Sequence, residues 1–310
     1  MILIISHKED LTTDFLIDKL NKLHCPYFRL NCDEMHTYQF DLSGGANTSL
    51  AIAGRDGFSA VWYRRTKATA YPKTGLSKGE WLNLVTEYNA LLENIVQTLS
   101  PLKWLSRPSS IYRAENKIYQ LINAASLQFN VPDWIVSNVY ETVETFIAQH
   151  GAVIIKPLKN GRINDDENSK LIYTNRLTEE IKADLRDFEL TPCIIQKEIP
   201  KAYELRITVV DGKVFAAKVN SQEDPETIVD WRRKKLKFER YELPEKVAQQ
   251  CISLTEKLGL SFGAIDMIRG ADGEFYFLEI NPNGQWAWIE IDTELPISDH
   301  IIKFLTSDEV

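Results

Sequence analysis

The stretch FYFLEINPNGQWAWIE, Phe275 to Glu290, decides the fold. An apolar run ends at Glu279, one residue is skipped, and Asn281 follows just before the turn-forming segment Pro282 to Gly284. Side chains two positions apart in a strand point to the same face of a sheet, so Glu279 and Asn281 are predicted to share one face. A carboxylate and an amide at the end of an otherwise apolar strand indicate a binding site there.

Asp266 is the third polar side chain of this predicted site. It lies in a preceding apolar strand, and the turn residues GADG (270–273) connect the two strands as a hairpin. Two carboxylates about 4 Å apart repel by roughly 4 kcal/mol at the effective dielectric of a protein surface, and a divalent cation removes that cost. Oxygen ligands of this kind suit Mg²⁺, so Asp266, Glu279 and Asn281 are predicted metal ligands. The alternative is an exposed acidic strand end without a metal.

Magnesium held in this way implies a nucleotide, and the sequence offers lysines for its phosphates. Lys156 ends the apolar strand of AVIIKP (152–157) and is predicted to be half-buried. Because a buried ammonium group is costly without a partner, either a phosphate oxygen or an internal salt bridge is expected beside it. Lys117, at the edge of a helix's apolar face, by itself indicates only a solvated lysine. Lys218 lies within an apolar strand, where a solvated lysine is less expected.

Two further polar side chains alternate with apolar ones in ELRITVV (204–210). Glu204 and Arg206 are therefore predicted to share the face opposite their apolar neighbours, and Glu204 offers an acceptor for ribose hydroxyls. The upstream segment IIQKEIP (194–200) is predicted to be a strand between lobes whose backbone pairs with an adenine edge.

Composition excludes several classes of function. The chain has 310 residues and a net charge of −8, which argues against a nucleic-acid partner, since broad nucleic-acid binding needs a basic surface. Its four cysteines form no CxxC pair, so a zinc site or disulfide framework is not expected. No apolar run reaches the roughly 18 residues of a membrane helix. The start, MILIIS, is interpreted as a first strand rather than a signal peptide, which predicts a cytoplasmic protein without a membrane partner.

The order of elements predicts an α/β protein with three lobes. An open α/β lobe is expected over residues 1–106, with SLAIAG (49–54) and SAVWYRR (59–65) forming a hairpin. The polar LSRPSS (105–110) marks a boundary, after which one helix capped by Ser109 or Ser110 is predicted. A small central lobe over 107–195 and a strand-rich C-terminal lobe over 196–310 follow.

Several of these segments, in this order, resemble the ATP-grasp superfamily: ENK (115–117), VIIKP (153–157), QKEIPKAYELRITVV (196–210) and DMIRGADGEFYFLEINPNGQW (266–286). Three others resemble the graspetide, or microviridin-type, peptide-cyclising ligases within it: VWYRR (61–65), VDWRR (229–233) and FLEINPNGQWAWIE (277–290). The resemblance covers essentially the whole chain. It implies an ATP-grasp fold with ATP clamped between the central and C-terminal lobes.

The resemblance also implies roles for individual residues. ATP contacts are expected from Lys117, Lys156, Gln196, Lys197, Glu198, Ile199 and Glu204. Residues expected around the transferred phosphate are Arg206, Lys218 and Arg232, and Mg²⁺ is expected on Asp266, Glu279 and Asn281. Contacts to the substrate peptide are expected from Asp230, Arg232, Arg64 and Arg65. One departure is Ala264, which stands where some ATP-grasp ligases carry an arginine.

The implied reaction uses ATP to activate Asp or Glu side-chain carboxylates of a ribosomal precursor peptide as acyl phosphates. Ser or Thr hydroxyls, or a Lys amine, of the same peptide then close macrocycles, and a homodimer is expected. Three alternatives stay open: an ATP-grasp ligase that adds an amino acid to a protein or small acid, a kinase on the same scaffold, and a nucleotide-binding scaffold without catalysis. The sequence leaves open the precursor, ester versus amide, the number of rings and the oligomeric state.

Overall fold

The computed structural model describes residues 1–45, 47–64, 66–67, 71–73, 75–159, 174–178 and 191–307 in full, and the backbone alone of 162–164 and 169–171. In the described residues the strands are β1 (Ile2–Ser6), β2 (Tyr27–Asn31), β3 (Phe40–Ser43), β4 (Ser49–Ile52), β5 (Ala60–Tyr63), β6 (Lys103–Leu105), β7 (Trp134–Ser137), β8 (Val153–Lys156), β9 (Arg162–Asn164), β10 (Ser169–Leu171), β11 (Asn175–Arg176), β12 (Cys193–Lys197), β13 (Lys201–Val210), β14 (Lys213–Val219), β15 (Glu239–Tyr241), β16 (Phe262–Gly270) and β17 (Phe275–Asn281). The α-helices are α1 (Leu11–Lys22), α2 (Lys78–Thr98), α3 (Pro108–Ala114), α4 (Lys117–Ser126), α5 (Tyr140–His150), α6 (Glu245–Lys257), α7 (Ala287–Thr293) and α8 (Ile297–Thr306). None of these helices combines the length and apolar character needed to span a lipid bilayer.

The N-terminal lobe is built on a parallel sheet in the order β2-β1-β5-β6. The predicted hairpin between SLAIAG and SAVWYRR is wrong, because β4 pairs with β3 and β5 joins β1 and β6 in parallel. The reason is burial: all four residues of β5 are buried, as expected of a strand covered on both faces rather than of an edge hairpin.

The segment after the first lobe forms two helices instead of the one predicted. Helix α3 begins with Pro108 at its first turn and has no side-chain cap, and α4 begins at Lys117 after a break. The side chain of Asn116 caps α4 by accepting a hydrogen bond from the Tyr119 backbone N at 3.0 Å. The break therefore makes Lys117 the first helical residue of α4.

In the described residues, two larger antiparallel sheets follow, beside the two-stranded sheets β3-β4 and β9-β10. The central sheet has the order β11-β8-β12-β7 and carries α5 on one face, while the C-terminal sheet has the order β15-β14-β13-β16-β17. Helix α4 packs on the outer strand β17, and the C-terminal helix α8 packs back onto β5 and β6 of the N-terminal lobe. The first and last parts of the chain are thus joined.

The hydrophobic cores follow this division. Two large cores each combine the N-terminal and C-terminal lobes: Leu3 with Phe277 in one, Ile4 with Trp286 in the other. A third, smaller core is formed by residues of the central sheet and α5. We call residues 1–129 and 201–307 the platform, and residues 134–197 the central lobe.

Candidate active site

The polar side chains of β16 and β17 meet as predicted. The hairpin register places Asp266 directly opposite Glu279 and Ala264 opposite Asn281. The Nδ2 atom of Asn281 donates to Asp266 Oδ2 at 3.1 Å and to Glu279 Oε1 at 3.4 Å. Three oxygen-bearing side chains therefore converge at the mouth of one hairpin.

A β-bulge lets this polar face share a strand with the core. Asp266 pairs with Glu279 but Met267 pairs with Phe277, so Leu278 is one extra residue in β17. The bulge turns Phe277 into the core, where it is fully buried, although Glu279 only two residues later faces the cleft.

Arg206 holds the first carboxylate. It lies opposite Asp266 in the β13–β16 register, and its Nη1 donates to both carboxylate oxygens at 2.9 and 2.8 Å. The pKa of Asp266 is raised overall. Burial and repulsion from Glu279 raise it by more than the Arg206 guanidinium lowers it. Burial alone would also raise the pKa of Glu279, but Lys117, Arg232 and other cations lower it.

The donor set of this site fits a magnesium ion. Asp266 and Glu279 present hard carboxylate oxygens from adjacent strands, and Asn281 supplies an amide between them. In the present arrangement the amide nitrogen of Asn281 faces both carboxylates, so an ion there requires the amide to turn its oxygen inward. Elsewhere in the described residues, no group of three His, Cys, Asp or Glu side chains could hold a metal.

Two lysines lie in the same cleft as these carboxylates. Lys117, at the start of α4, places Nζ 3.7 Å from Glu279 Oε2 and donates to the carbonyl of Pro157 at 3.2 Å. Lys156, at the end of β8, donates to Gln196 Oε1 at 2.7 Å. Burial lowers the pKa of Lys156 to about 8, although Glu279 opposes this shift.

Glu204 lines the same cleft and is only 6% exposed. Lys201 donates to its Oε1 at 2.7 Å and to the carbonyl of Val229 at 3.1 Å. Burial nevertheless raises the pKa of Glu204, because it outweighs the lowering by Lys201. Sequence reasoning missed Lys201, since simple alternation puts it on the face opposite Glu204. A bulge between Lys201 and Tyr203 reverses that assignment.

These side chains line one cleft between the central lobe and the platform, with an empty volume of about 1050 Å³. The predicted residues that it brings together are Lys117, Lys156, Gln196, Lys197, Glu198, Ile199, Glu204, Asp230, Arg232, Asp266, Glu279 and Asn281. Its apolar wall includes Ile154, Ile268 and Leu278. These residues lie within the quoted motifs but were not predicted to line the site, because they are ordinary residues of apolar strands. A wall of this kind beside convergent charges is typical of a nucleotide site.

Comparison with known proteins agrees with this geometry. Residues 119–285, more than half of the chain, match the family model of the prokaryotic glutathione synthetase ATP-grasp domain. The chain belongs to the family of ATP-grasp ligases. No curated protein sequence gave a match.

Solved structures of ATP-grasp ligases resemble the whole chain. Macrocyclase MdnC of Microcystis aeruginosa MRC, bound with precursor peptide MdnA, is 30% identical with a TM-score of 0.85, covering 98% of this chain and 99% of that one. A RiPP-associated ATP-grasp ligase of Chryseobacterium gregarium, in complex with ADP and a leader and core peptide, is 28% identical with a TM-score of 0.89, covering 100% and 97%. Macrocyclase MdnB of Microcystis aeruginosa MRC is 28% identical with a TM-score of 0.79, covering 98% of each chain.

The connection between the lobes of this ATP-grasp ligase runs through the predicted adenine segment. Lys197 ends β12, and Glu198 and Ile199 lead towards β13 along the cleft. The Glu198 carboxylate accepts hydrogen bonds from Nε and Nη2 of Arg176 in β11 at 2.6 to 2.9 Å. Gln196 donates to the Pro132 carbonyl at 3.2 Å, which joins the end of β12 to the chain that enters the central lobe.

Lys218 is not placed beside the transferred phosphate, which corrects the prediction. It pairs with Leu205 across β13 and β14, and paired residues share a face, so Lys218 lies on the face opposite Arg206. Its ammonium lies 4.5 Å from the centre of the Tyr203 ring instead of lining the ATP-grasp cleft.

Arg64 also lies away from the cleft. It is 1% exposed, its Nε lies 3.2 Å from Asp10 Oδ2, and its Nη1 donates to the Gly284 carbonyl at 3.2 Å. Burial alone would raise the pKa of Asp10, but Arg64 and neighbouring hydroxyls lower it to about 2. In this conformation Arg64 supports the turn after β17 and has no surface for contacting a peptide. Arg65 lies outside the described residues.

Asp230 and Arg232 flank Trp231 in a short helical turn at the edge of the cleft. Arg232 Nε and Nη2 donate to the two oxygens of Asp230 at 2.8 and 2.5 Å. The Arg232 side chain remains 49% exposed, whereas Asp230 is buried. Burial alone would raise the pKa of Asp230, but these hydrogen bonds lower it. Asp230 therefore orients a guanidinium that is open to a ligand.

Proposed function

We propose that this ATP-grasp ligase cyclises a ribosomal precursor peptide by joining Asp or Glu side-chain carboxylates to Ser or Thr hydroxyls, or to a Lys amine. The observation that carries the proposal is the meeting of Asp266 and Glu279 opposite Lys117 and Lys156 in one cleft, with Arg232 at its edge. The whole-length similarity to two ligases crystallised with peptides supports the substrate class.

ATP binding is divided between the two sides of the cleft. Lys156 of the central lobe and Lys117 of the platform bind phosphate oxygens, replacing their present contacts with Gln196 and Pro157. Glu204 accepts hydrogen bonds from ribose hydroxyls, and the 196–199 segment holds the adenine edge. The apolar wall receives the base.

Asp266, Glu279 and Asn281 would hold a magnesium ion, which would supply charge neutralisation at the phosphate oxygens. Arg206 contributes the same kind of stabilisation from the protein. Its guanidinium contacts Asp266 and, through Nη2, the carbonyl of Gln285 at 3.2 Å, so its position is fixed before the reaction. Preorganised charge of this kind is the main source of catalysis in phosphoryl transfer.

Arg232 binds and orients the carboxylate of the peptide, for which a guanidinium is suited. One carboxylate oxygen attacks the terminal phosphorus of ATP, and ADP leaves. A hydroxyl or amine of the same peptide then attacks the acyl carbon of the resulting acyl phosphate. The new ester or amide forms as phosphate leaves with the former carboxylate oxygen, so no nucleophile of the enzyme is consumed.

The test is incubation of the enzyme with ATP, Mg²⁺ and the product of a short, acidic, Ser/Thr-containing reading frame beside its gene. We expect the peptide to lose the mass of one water and one ADP to form for each ring. A peptide that keeps an added phosphate would identify a kinase, and one that gains an amino acid when free amino acids are included would identify the amino-acid-adding ligase. Either result would contradict the proposal.

We also propose three features of its organisation. The central lobe extends from β7 to β12. It begins after α3 and α4 because both helices pack with the platform core, and it ends at Lys197 because β12 ends there. Both boundaries therefore differ from those predicted after residues 106 and 195. The enzyme acts in the cytoplasm, where ATP and ribosomal peptides are available. A homodimer is supported by α2, a helix of 21 residues in which only Ile95 is buried.

A further inference from the structure

Gln120 is a buried amide whose hydrogen bonds all go to backbone groups. It lies in α4 and is 3% exposed. Its Nε2 donates to the carbonyls of Ala114 at 2.6 Å and Ile280 at 2.8 Å, and its Oε1 accepts from the Ile280 N at 3.0 Å. One side chain thus joins the end of α3, helix α4 and strand β17.

The position of Ile280 gives this contact its significance. Strand β17 is the outer strand of its sheet, and Ile280 stands between Glu279 and Asn281. Gln120 accepts one hydrogen bond from the Ile280 N and donates one to the Ile280 carbonyl. This is the pattern in which a neighbouring strand would pair with Ile280. It therefore fixes the backbone segment that carries two of the three metal ligands.

Lys117 lies one turn earlier on the same helix. Residues three apart in a helix lie on neighbouring positions of one face, so the contact that fixes Gln120 against Ile280 also fixes Lys117 beside Glu279. Sliding or tilting of α4 would disturb both contacts together.

We propose that Gln120 is a positioning residue that sets Glu279, Asn281 and Lys117 for the metal and the phosphates. The inference rests on the proposed function. Partners that orient metal ligands typically contribute 10- to 100-fold in affinity or activity, so about a tenfold loss is expected without Gln120. Binding of the peptide at Arg232 should be unaffected.

The test compares Gln120→Met with Gln250→Met. Gln250 is a matched control because its Nε2 also donates to two backbone carbonyls beside α4, those of Leu127 at 3.1 Å and Gln128 at 2.9 Å. Both variants remove an amide that bonds backbone carbonyls next to one end of α4, but only Gln120 contacts the strand that carries Glu279 and Asn281. The readouts are Mn²⁺ affinity of the ADP complex by electron paramagnetic resonance, kcat and KM for peptide, and the melting temperature.

For Gln120→Met we expect Mn²⁺ affinity and kcat to fall about tenfold with KM for peptide unchanged. For Gln250→Met we expect only a lower melting temperature. Equal losses in both variants, or Mn²⁺ affinity within about twofold of wild type in Gln120→Met, would overturn the proposal. If Gln120→Met does not fold, Gln120→Glu, which still accepts from the Ile280 N, takes its place with the same expectations. Failure of the proposed function itself would instead leave Mn²⁺ affinity sensitive to Gln120 while no peptide is cyclised.

Discussion

The platform and the central lobe face each other across the ATP cleft, but they are built differently. The platform joins both ends of the chain through two shared cores, whereas the central lobe packs on a small core of its own around Phe146 and Ile155. The carboxylates Asp266 and Glu279 belong to the platform, and Lys156 belongs to the central lobe. The proposed metal ligands thus lie on the larger body, whereas the proposed nucleotide ligands come from both bodies, Lys117 and Glu204 from the platform and Lys156 from the central lobe.

We infer from this difference that the cleft closes by motion of the central lobe. A lobe with a separate core moves as a unit about the segments that connect it, and the 198–200 segment is one of these connections. Lys117 already bridges the cleft by donating to the Pro157 carbonyl. We expect this closure to bring Lys156 towards phosphates that rest on the proposed metal ligands of the platform.

The largest effect is expected from the platform carboxylate. Glu279→Gln removes a negative charge opposite Asp266, and we expect peptide-dependent ADP release to fall roughly a thousandfold. Glu274→Gln is the matched control, since Glu274 is exposed at the turn of the same hairpin, and its activity should stay within about twofold of wild type. Coupled assays of ADP release measure both. Retained activity in Glu279→Gln would remove this residue from the metal site.

The separate cores of the platform and the central lobe provide the next test. Phe146→Ala and Phe277→Ala each remove a buried ring, at a cost of about 3–5 kcal/mol. We expect Phe146→Ala to give a separate early transition in calorimetry, because the central lobe unfolds alone, and Phe277→Ala to lower the main transition. A single transition, shifted equally in both variants, would show that the platform and the central lobe unfold together, and would contradict the view that the central lobe is a separate unit.

The turn after β17 gives a smaller effect on activity. A Cβ at Gly284 would overlap Ala264 and lie 2.8 Å from Arg206 Nη2, so Gly284→Ala should displace Arg206 and lower kcat about thirtyfold. Gly79→Ala is the control, because no atom lies within 4 Å of its added Cβ and alanine favours the helix. Steady-state kinetics with an unchanged kcat in Gly284→Ala would contradict the role of this turn.

The Kd for Mg–ADP should depend on pH through Lys156 of the central lobe, by about tenfold per pH unit above pH 8. In the free enzyme the pKa of Lys156 is lowered to about 8, so its proton is bound below pH 8 and lost above it, whereas a bound phosphate retains it. The Kd for Mg–ADP should therefore rise about tenfold from pH 8.5 to 9.5 in the wild type. In Lys156→Arg the guanidinium stays charged, so calorimetry should give a flat profile. A parallel rise in both proteins would assign the effect to another group.

One part of the acidic hairpin was predictable because it is local: the alternation of strand residues puts Glu279 and Asn281 on the same face. The pairing of Asp266 with Glu279 also requires the bulge at Leu278, which the sequence does not display. Lys218 was predictable by the same means, because the turn Asp211–Gly212 pairs Val210 with Lys213 and therefore Leu205 with Lys218. The role predicted for Lys218 was taken from the family resemblance instead, and that prediction was wrong.

Other features depend on contacts that the sequence does not display. The bulge beside Lys201 changes which face the residue occupies, and no turn residue marks it. Gln120 and Arg64 act through backbone carbonyls that are distant in sequence, at Ile280 and Gly284. Only the assembled platform brings these groups together.

The most direct test of the central claim follows the oxygen atoms of the peptide. The precursor is labelled with isotopically heavy oxygen in its Asp and Glu side chains and incubated with enzyme, ATP and Mg²⁺, and the released phosphate is analysed by mass spectrometry. Activation of the carboxylate on the platform predicts one heavy oxygen in phosphate for each ring formed. Unlabelled phosphate, with rings formed nonetheless, would contradict the account.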